Sequence, residues 1–312
     1  MPADTTLSAD TTAGVIHDIG YQRYTGERLG RLYSARSLYT HGLRTAYGLG
    51  RSAKAKIFPW IVVGIVGLVA VVVTAVRAQS GEVVMTYWGL TEAMATIVIL
   101  FCAVVAPELV SRDIRGGVLP LYFSRPMTRT DYPLVKYASL ATATFLLVAG
   151  PQLFMFIGGA FTLDRFSDVW GEFVDFSKGL SASALYAVTF SALAILVSSL
   201  AGRRAVAAAL VVAVFLVTTP IYGVMAGIAF SSSPDGGIPT GDSLRMLQLG
   251  GLVSPMTLVA GVVQWWYPPI EQIEQYGPLF GGPDGPLYLG VTIGLVVVSL
   301  LLLLLRYRKV AR

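Results

Sequence analysis

Cysteine is nearly absent from the 312 residues: Cys102 stands alone, so no disulfide can form within the chain, and its place in an apolar run reads as a small buried hydrophobe. Histidine is almost as scarce. His17 and His41 both precede the first long apolar run, which excludes a histidine cluster inside a membrane for zinc, haem or proton relay. A phosphate-binding loop is missing as well. It requires Lys followed by Ser or Thr after a Gly-rich turn, whereas Lys54, Lys56, Lys136, Lys178 and Lys309 are followed by Ala, Ile, Tyr, Gly and Val. No serine sits in a Gly-x-Ser-x-Gly elbow. Charge is thin, at 13% of residues against about 25% in a typical soluble domain. What fills the space is apolar: 54% of the chain is hydrophobic, an imbalance that a water-soluble core cannot absorb. These absences predict neither a catalytic residue set nor a metal or cofactor site in this chain.

A spanning helix needs about 20 mostly apolar residues, because the hydrocarbon layer is about 30 Å thick and a helix rises about 1.5 Å per residue. Six segments qualify, at about 57–76, 88–106, 136–163, 180–200, 205–230 and 287–305. The fourth and fifth are joined only by Ala201, Gly202, Arg203 and Arg204, a tight basic turn. Alternating the segments across a bilayer puts all but four of the 23 Lys and Arg on one side, the exceptions being Arg77, Arg165, Lys178 and Arg245. Cytoplasmic loops carry such an excess, so both termini are expected in the cytoplasm. The net charge of +5 is thus read as a topology signal rather than a nucleic-acid footprint, which needs cations clustered on a folded polar surface. Most acidic residues fall on the other side, and Asp164, Asp168, Glu172 and Asp175 read as a solvated loop.

Residues 1–27 read as a mostly disordered start without the pattern of a cleavable signal peptide. In 28–56, Leu29, Leu32, Tyr33, Leu43, Ala46 and Tyr47 recur at helical spacing among arginines, the pattern of a basic amphipathic helix on the inner membrane surface; a plain basic flank is the simpler reading. The loop at 107–133 predicts a short helix from Glu108 to Leu119, opened by Pro107 and stopped by Pro120. Val110, Ile114 and Val118 share one face, and Ser111, Arg112, Asp113 and Arg115 lie elsewhere. That stripe either packs on the bundle or docks a cytoplasmic partner. The segment at 231–286 is too long for a plain loop and predicts two short helices that dip part-way into the membrane. Asp242 or Ser243 caps the first, and Ser254 with Pro255 opens the second, which runs to Trp266. Met256, Val259, Val263, Trp265, Trp266 and Tyr267 would then form an outer gate, or the aromatic residues would simply anchor at the interface. Residues 306–312 are expected as a cytoplasmic tail.

Polar groups inside the spans are few. Glu92 either snorkels to water or belongs to a passage. Ser191, Ser198, Gly223 and Gly227 read as helix-packing positions, and Pro151 and Pro220 as kinks.

The run from Pro107 through Leu119, followed by Leu121-Tyr122-Phe123-Ser124-Arg125-Pro126 and Arg129-Thr130-Asp131-Tyr132, resembles the cytoplasmic loop of ABC-2 type transporter permeases. Tyr21-Gln22-Arg23-Tyr24-Thr25-Gly26 with Arg28-Leu29-Gly30-Arg31 is similar to the start of bacterial members. The resemblance implies an all-α polytopic protein of the bacterial plasma membrane that pairs with a second permease subunit, identical or related. It implies a separate ATP-binding cassette ATPase that binds ATP and Mg, and a coupling helix at 108–119 supported by Tyr122, Ser124, Arg125, Arg129 and Asp131. The chain is then expected to be an exporter permease and not itself an enzyme, with membrane lipid and no nucleic acid among its partners. A secondary transporter or channel without an ATPase is the alternative; it would call for paired ions within the spans, where Glu92 alone stands.

Overall fold

A computed structural model of the chain describes residues 29–124, 126–163, 165–232, 241–268 and 284–310, with the single residues 26 and 239. The predicted disordered start, the motif at 21–25, Arg125 and the last two residues lie outside the described residues. The architecture is all-α, with no strand among the described residues. Among the described residues twelve helices follow one another: α1 (Arg31–Ala46), α2 (Ala53–Ser80), α3 (Tyr87–Ala93), α4 (Ala95–Leu109), α5 (Ser111–Arg115), α6 (Leu119–Phe123), α7 (Asp131–Ala160), α8 (Phe166–Leu200), α9 (Arg204–Ser231), α10 (Asp242–Gly250), α11 (Pro255–Trp266) and α12 (Gly285–Val310). Among the described residues six helices are long and apolar enough to cross a membrane, which makes this a multi-pass membrane protein.

In lipid the tails are as apolar as leucine, so helices associate through close packing and hydrogen bonds rather than through exclusion of water. The bundle shows this in its layering. In the most apolar stretch of α4 and α5, 67% of residues are buried, and in α8 61%, whereas α2, α9 and α12 ring them with 22%, 17% and 22%. Hydroxyl pairs stitch the centre: Thr91 with Ser183 at 3.0 Å and Ser191 with Thr144 at 3.4 Å. The amide of Gln152 donates to Tyr87 O and to Thr91 Oγ1, both at 2.8 Å. Ser191 and Ser198 are thus packing positions, as expected. Gly223 and Gly227 are not, within this chain: nothing lies within 4 Å of where their Cβ atoms would stand.

Several boundaries differ from the sequence expectation. The helix at 28–56 is shorter and turns a corner, with α1 ending before Gly48 (φ 68°) and Gly50 (φ 77°) and α2 beginning at Ala53. A Cβ on Gly48 would stand 2.5 Å from Ala55 O, so the corner requires glycine. The buried stripe of α1 is Leu38, Gly42 and Ala46, packed on α7, while Leu29, Leu32 and Tyr33 are exposed. The second span is interrupted at Met94. α8 begins at Phe166, so Asp168, Glu172 and Asp175 of the acidic stretch read as a solvated loop are helical, while Asp164 lies outside the described residues; α8 exposes Phe166 and Trp170 but withdraws Glu172, whose side chain is 10% exposed. α12 continues through Arg306–Val310, where a tail was expected. α10 and α11 match the two short helices, bent by 114° to one another. Gly241, not Asp242 or Ser243, occupies the first cap, and Ser254 caps α11 by position without a side-chain hydrogen bond. α11 packs on α12, α8 and α9, with Gly261 set against the ring of Tyr288.

Candidate functional site

The end of the bundle where α4 stops carries most of the basic residues, and its chain path departs from the single helix expected over Glu108–Leu119. Pro107 lies inside α4 rather than opening a new helix, and Val110 (φ −120°, ψ −55°) breaks the spiral. A one-turn helix, α5, follows, Gly117 (φ 62°) reverses the chain, and Pro120 sits in the first turn of α6. Proline lacks only an N–H that a first turn leaves unpaired, so Pro120 starts α6 instead of merely stopping what precedes it. The corner is therefore α4, hinge, α5, Gly turn, α6.

Each acid at this corner is held from more than one side. Glu108, with a side chain only 9% exposed, accepts from Arg51 Nη1 at 2.6 Å and from Arg204, which joins the α1–α2 corner to the start of α9. Asp113 Oδ2 accepts from Tyr132 OH at 2.8 Å and pairs with Lys136 Nζ at 2.8 Å, both on α7. Lys136 is 3% exposed, and its ammonium also lies 5.5 Å from the Tyr132 ring centroid. Tyr132 in turn packs against Tyr122 and Tyr307, at 5.4 and 5.3 Å between centroids, bringing α6 and α12 to the same point. Ser111 Oγ donates to Ser198 O at 2.8 Å, fixing α5 to the end of α8. Asp131 takes both Arg31 Nε (2.7 Å) and Nη2 (2.5 Å) and the Thr128 N–H (2.9 Å). That bond raises the Arg31 pKa above its ordinary value.

Helical spacing sets Asp113 off the apolar stripe together with Arg112, yet its carboxylate points inward, because a buried ammonium needs a carboxylate more than the surface does. Of the apolar stripe, Val110 is sealed at 1% exposure, Ile114 and Val118 are half-buried, and Leu119 is buried, so the stripe packs on this chain's own bundle. Arg112, Arg115, Leu121, Ser124 and Arg129 face outward, and Leu121 is 67% exposed. Beside them opens a cleft of about 860 Å³ lined by His41, Arg51, Glu108, Arg112, Asp113 and Lys136, among others. Partial withdrawal from water lowers the His41 pKa, and Lys136 lowers it further. Lys136, Arg51, Arg204, Ser198 and Tyr307 were missed as members of this site. They had been counted as topology markers, span residues or, for Tyr307, part of the tail, and their partners lie far off in sequence.

At the opposite end, Glu172 accepts from Arg77 Nη1 (2.6 Å) and Nη2 (2.7 Å) and from Tyr87 OH, tying α8 to α2 and α3. Of the residues expected to gate, Val259 and Val263 are sealed in the main core, Met256 and Trp265 are half-buried, and Trp266 is exposed. Tyr267 packs tilted against Trp88, 5.6 Å between ring centroids, and shares a hydrogen bond with Ser181 at 2.8 Å. Glu92 is half-buried, and its Oε1 is sealed from solvent. No protein-family model and no curated protein sequence matches this chain.

Proposed function

We propose that this chain is the membrane-spanning subunit of an ATP-binding cassette exporter, and that the corner from α4 to α6 takes up motion from a separate ATPase. One observation carries the reading: the corner is free at its tip and tied at its base. Arg112, Arg115 and Leu121 project outward, while Glu108, Ser111 and Asp113 bind α2's approach, α7, α8 and α9. A part that transmits force must be stiff along its path and exposed where it is pushed, and interlocked ion pairs supply that stiffness. The exposed cations and leucine suit a cleft with acidic and apolar walls on the partner. ATP and Mg belong to that partner, since this chain has no phosphate-binding loop.

The excess of Lys and Arg supports a cytoplasmic placement of this end and of both termini, in a bacterial plasma membrane. The open faces of α9, including Gly223 and Gly227, support a second permease subunit as neighbour, with lipid over the rest. The position of α11 between α8, α9 and α12 supports a gate at the outer mouth.

Purified in mild detergent from its own membranes, the chain is expected to bring down a nucleotide-binding subunit and to hydrolyse no ATP alone. Arg112→Glu with Arg115→Glu should leave the permease folded and release the ATPase. Nucleotide turnover by the isolated chain, or unchanged ATPase binding by the double variant, would refute the assignment. With Cys102 replaced, cysteines at Ser80, Ser167 and Ser232 should react with an impermeant thiol reagent in intact cells, and one at Ser124 should not.

A further inference from the structure

Another cavity opens at the basic end, on the membrane side of the bridge that Glu108 makes between Arg51 and Arg204. Its volume is about 270 Å³, and its lining divides in two. Arg51, Ser52, Lys54, Glu108 and Arg204 form a polar half, whereas Phe58 and Pro59 of α2 with Val104 and Val105 of α4 form an apolar one. A neighbouring cavity of about 490 Å³ shares Arg51, Glu108 and Arg204 but has Arg112 and Arg115 of α5 in place of the apolar wall. The bridge is thus a partition between the two.

Charge in the polar half does not balance. Three cations face one carboxylate, and Glu108 takes a single nitrogen from each arginine, Nη1 of Arg51 at 2.6 Å and Nη1 of Arg204. A guanidinium carries five N–H donors, so most of both forks is left over. Lys54 is exposed and pairs with no carboxylate among the described residues. An anion with several oxygens suits such a set, and a phosphate accepts two bonds at a time from an arginine.

Depth selects the kind of phosphate. On α2, Lys54 and Lys56 give way to the uncharged run that starts at Ile57; on α9, Arg204 is followed by Ala205; on α4, Glu108 follows an apolar stretch. These changes of polarity meet around one cavity, which sets its polar half at headgroup level and its apolar half at the edge of the hydrocarbon. Ile57, Trp60 and Ile61 of α2 and Val206 and Leu210 of α9 are exposed, as a surface for lipid must be. The cavity is smaller than the about 300 Å³ at which pockets for whole small molecules begin. Its occupant therefore enters by one part and leaves the rest in the bilayer.

We propose that this cavity binds one anionic phospholipid, its phosphate among Arg51, Lys54 and Arg204 and the first methylenes of an acyl chain against the half-buried Phe58 and Val104. Basic pockets between spanning helices hold anionic headgroups in the same way. A zwitterionic lipid gains less, because the surplus cations repel its ammonium. The assignment is independent of what the chain transports.

The test uses the full chain, purified in detergent and titrated with palmitoyl-oleoyl phosphatidylglycerol or phosphatidylcholine, with bound lipid counted by native mass spectrometry. One phosphatidylglycerol should be retained per chain in preference to phosphatidylcholine. Lys54→Glu reverses an exposed charge and leaves the bridge intact, and it should weaken phosphatidylglycerol binding about tenfold or more. Arg36→Glu makes the same change on α1, exposed and outside the cavity, and should leave the affinity as it is. Glu108→Gln removes the competing carboxylate and should tighten binding. Glycerol phosphate and inorganic phosphate, which carry the anion without the chains, should displace the lipid only at far higher concentration. Equal retention of the two lipids, equal weakening by Arg36→Glu and Lys54→Glu, weaker binding by folded Glu108→Gln, or displacement by inorganic phosphate at the lipid's own concentration would each overturn the site.

Discussion

The two ends of the bundle balance their charges in opposite ways. At the basic end carboxylates are the scarce partner, and all three among the described residues are engaged: Glu108 by Arg51 and Arg204, Asp113 by Lys136 and Tyr132, Asp131 by Arg31 and Thr128. At the opposite end cations are scarce; Arg77 and Lys178 are paired, and aromatic rings are set on glycine, as with Tyr288 on Gly261 and Trp265 on Gly285. The contrast teaches where to look in a chain of this kind. Within a charge-biased segment, the minority sign marks the structural hubs, and the majority sign supplies both their partners and a free surface.

The largest test of that contrast is Asp113→Ala. It strands the Lys136 ammonium, which is 3% exposed, and removal of one partner of a buried pair costs about 3–5 kcal/mol. The midpoint of heat-induced aggregation in detergent should fall sharply. Adding Lys136→Met should recover much of the loss, because the uncompensated charge goes too. If Asp113→Ala matches the wild type, the hub reading of the basic end fails.

At the other end the matching probe is steric. Gly261→Ala puts a methyl group into space held by the Tyr288 ring, and overpacking of this kind costs about 1–3 kcal/mol. The same midpoint should drop, and Tyr288→Leu in the same chain should restore it by giving way. A smaller effect is expected for Glu108→Gln. Two cations lose their charge partner, but the Arg204 side chain is 58% exposed and remains hydrated, so the cost is about 1–2 kcal/mol. Raised salt should narrow the gap between Glu108→Gln and wild type. Equal costs for Asp113→Ala and Glu108→Gln would show that burial of the partner cation does not set the scale.

How much of this was legible beforehand follows from the range of the signal. Spans are written locally, in runs of apolar residues, and all six helices appear where such runs lie. Pro255–Trp266 was also local: Ser-Pro starts it and Trp266 ends it. What failed depended on distant partners or on packing. Glu172 looked solvated because its cation, Arg77, sits six helices earlier. Trp170, Phe173 and Phe176 recur every third residue, a helical signal for the start of α8 that the acidic residues between them masked. Asp113 was set off the apolar stripe by helical spacing alone, which carries no trace of Lys136 at the start of the next span. Glycine spacing misled at Gly223 and Gly227, since small residues show where another helix can approach, not whether one of this chain does.

The finest test asks whether the cation surplus at the basic end is felt by a residue that takes no part in its ion pairs. His41 lines the cleft beside Asp113 and Lys136, and its pKa is lowered first by desolvation and then by Lys136, with smaller contributions of the same sign from Arg112 and Arg51; Asp113 acts against them. A base whose folded pKa lies below its unfolded value is protonated more readily in the unfolded chain. Its stabilising effect is therefore complete above the unfolded value of about 6.5 and is lost as the pH falls through the folded one. Wild-type stability should decline slightly as the pH falls below about 6.5, and His41→Asn should remove that decline while leaving the steeper losses that follow when carboxylates titrate. Arg112→Gln should make that decline smaller and end it at a higher pH, because one of the repelling cations is gone and the folded pKa moves back towards the unfolded one. NMR titration of a labelled His41 reads the same quantity directly. A titration midpoint at or above that of an unperturbed imidazole would mean that Asp113 outweighs the surrounding cations, and that the basic end is balanced at the cleft rather than in surplus.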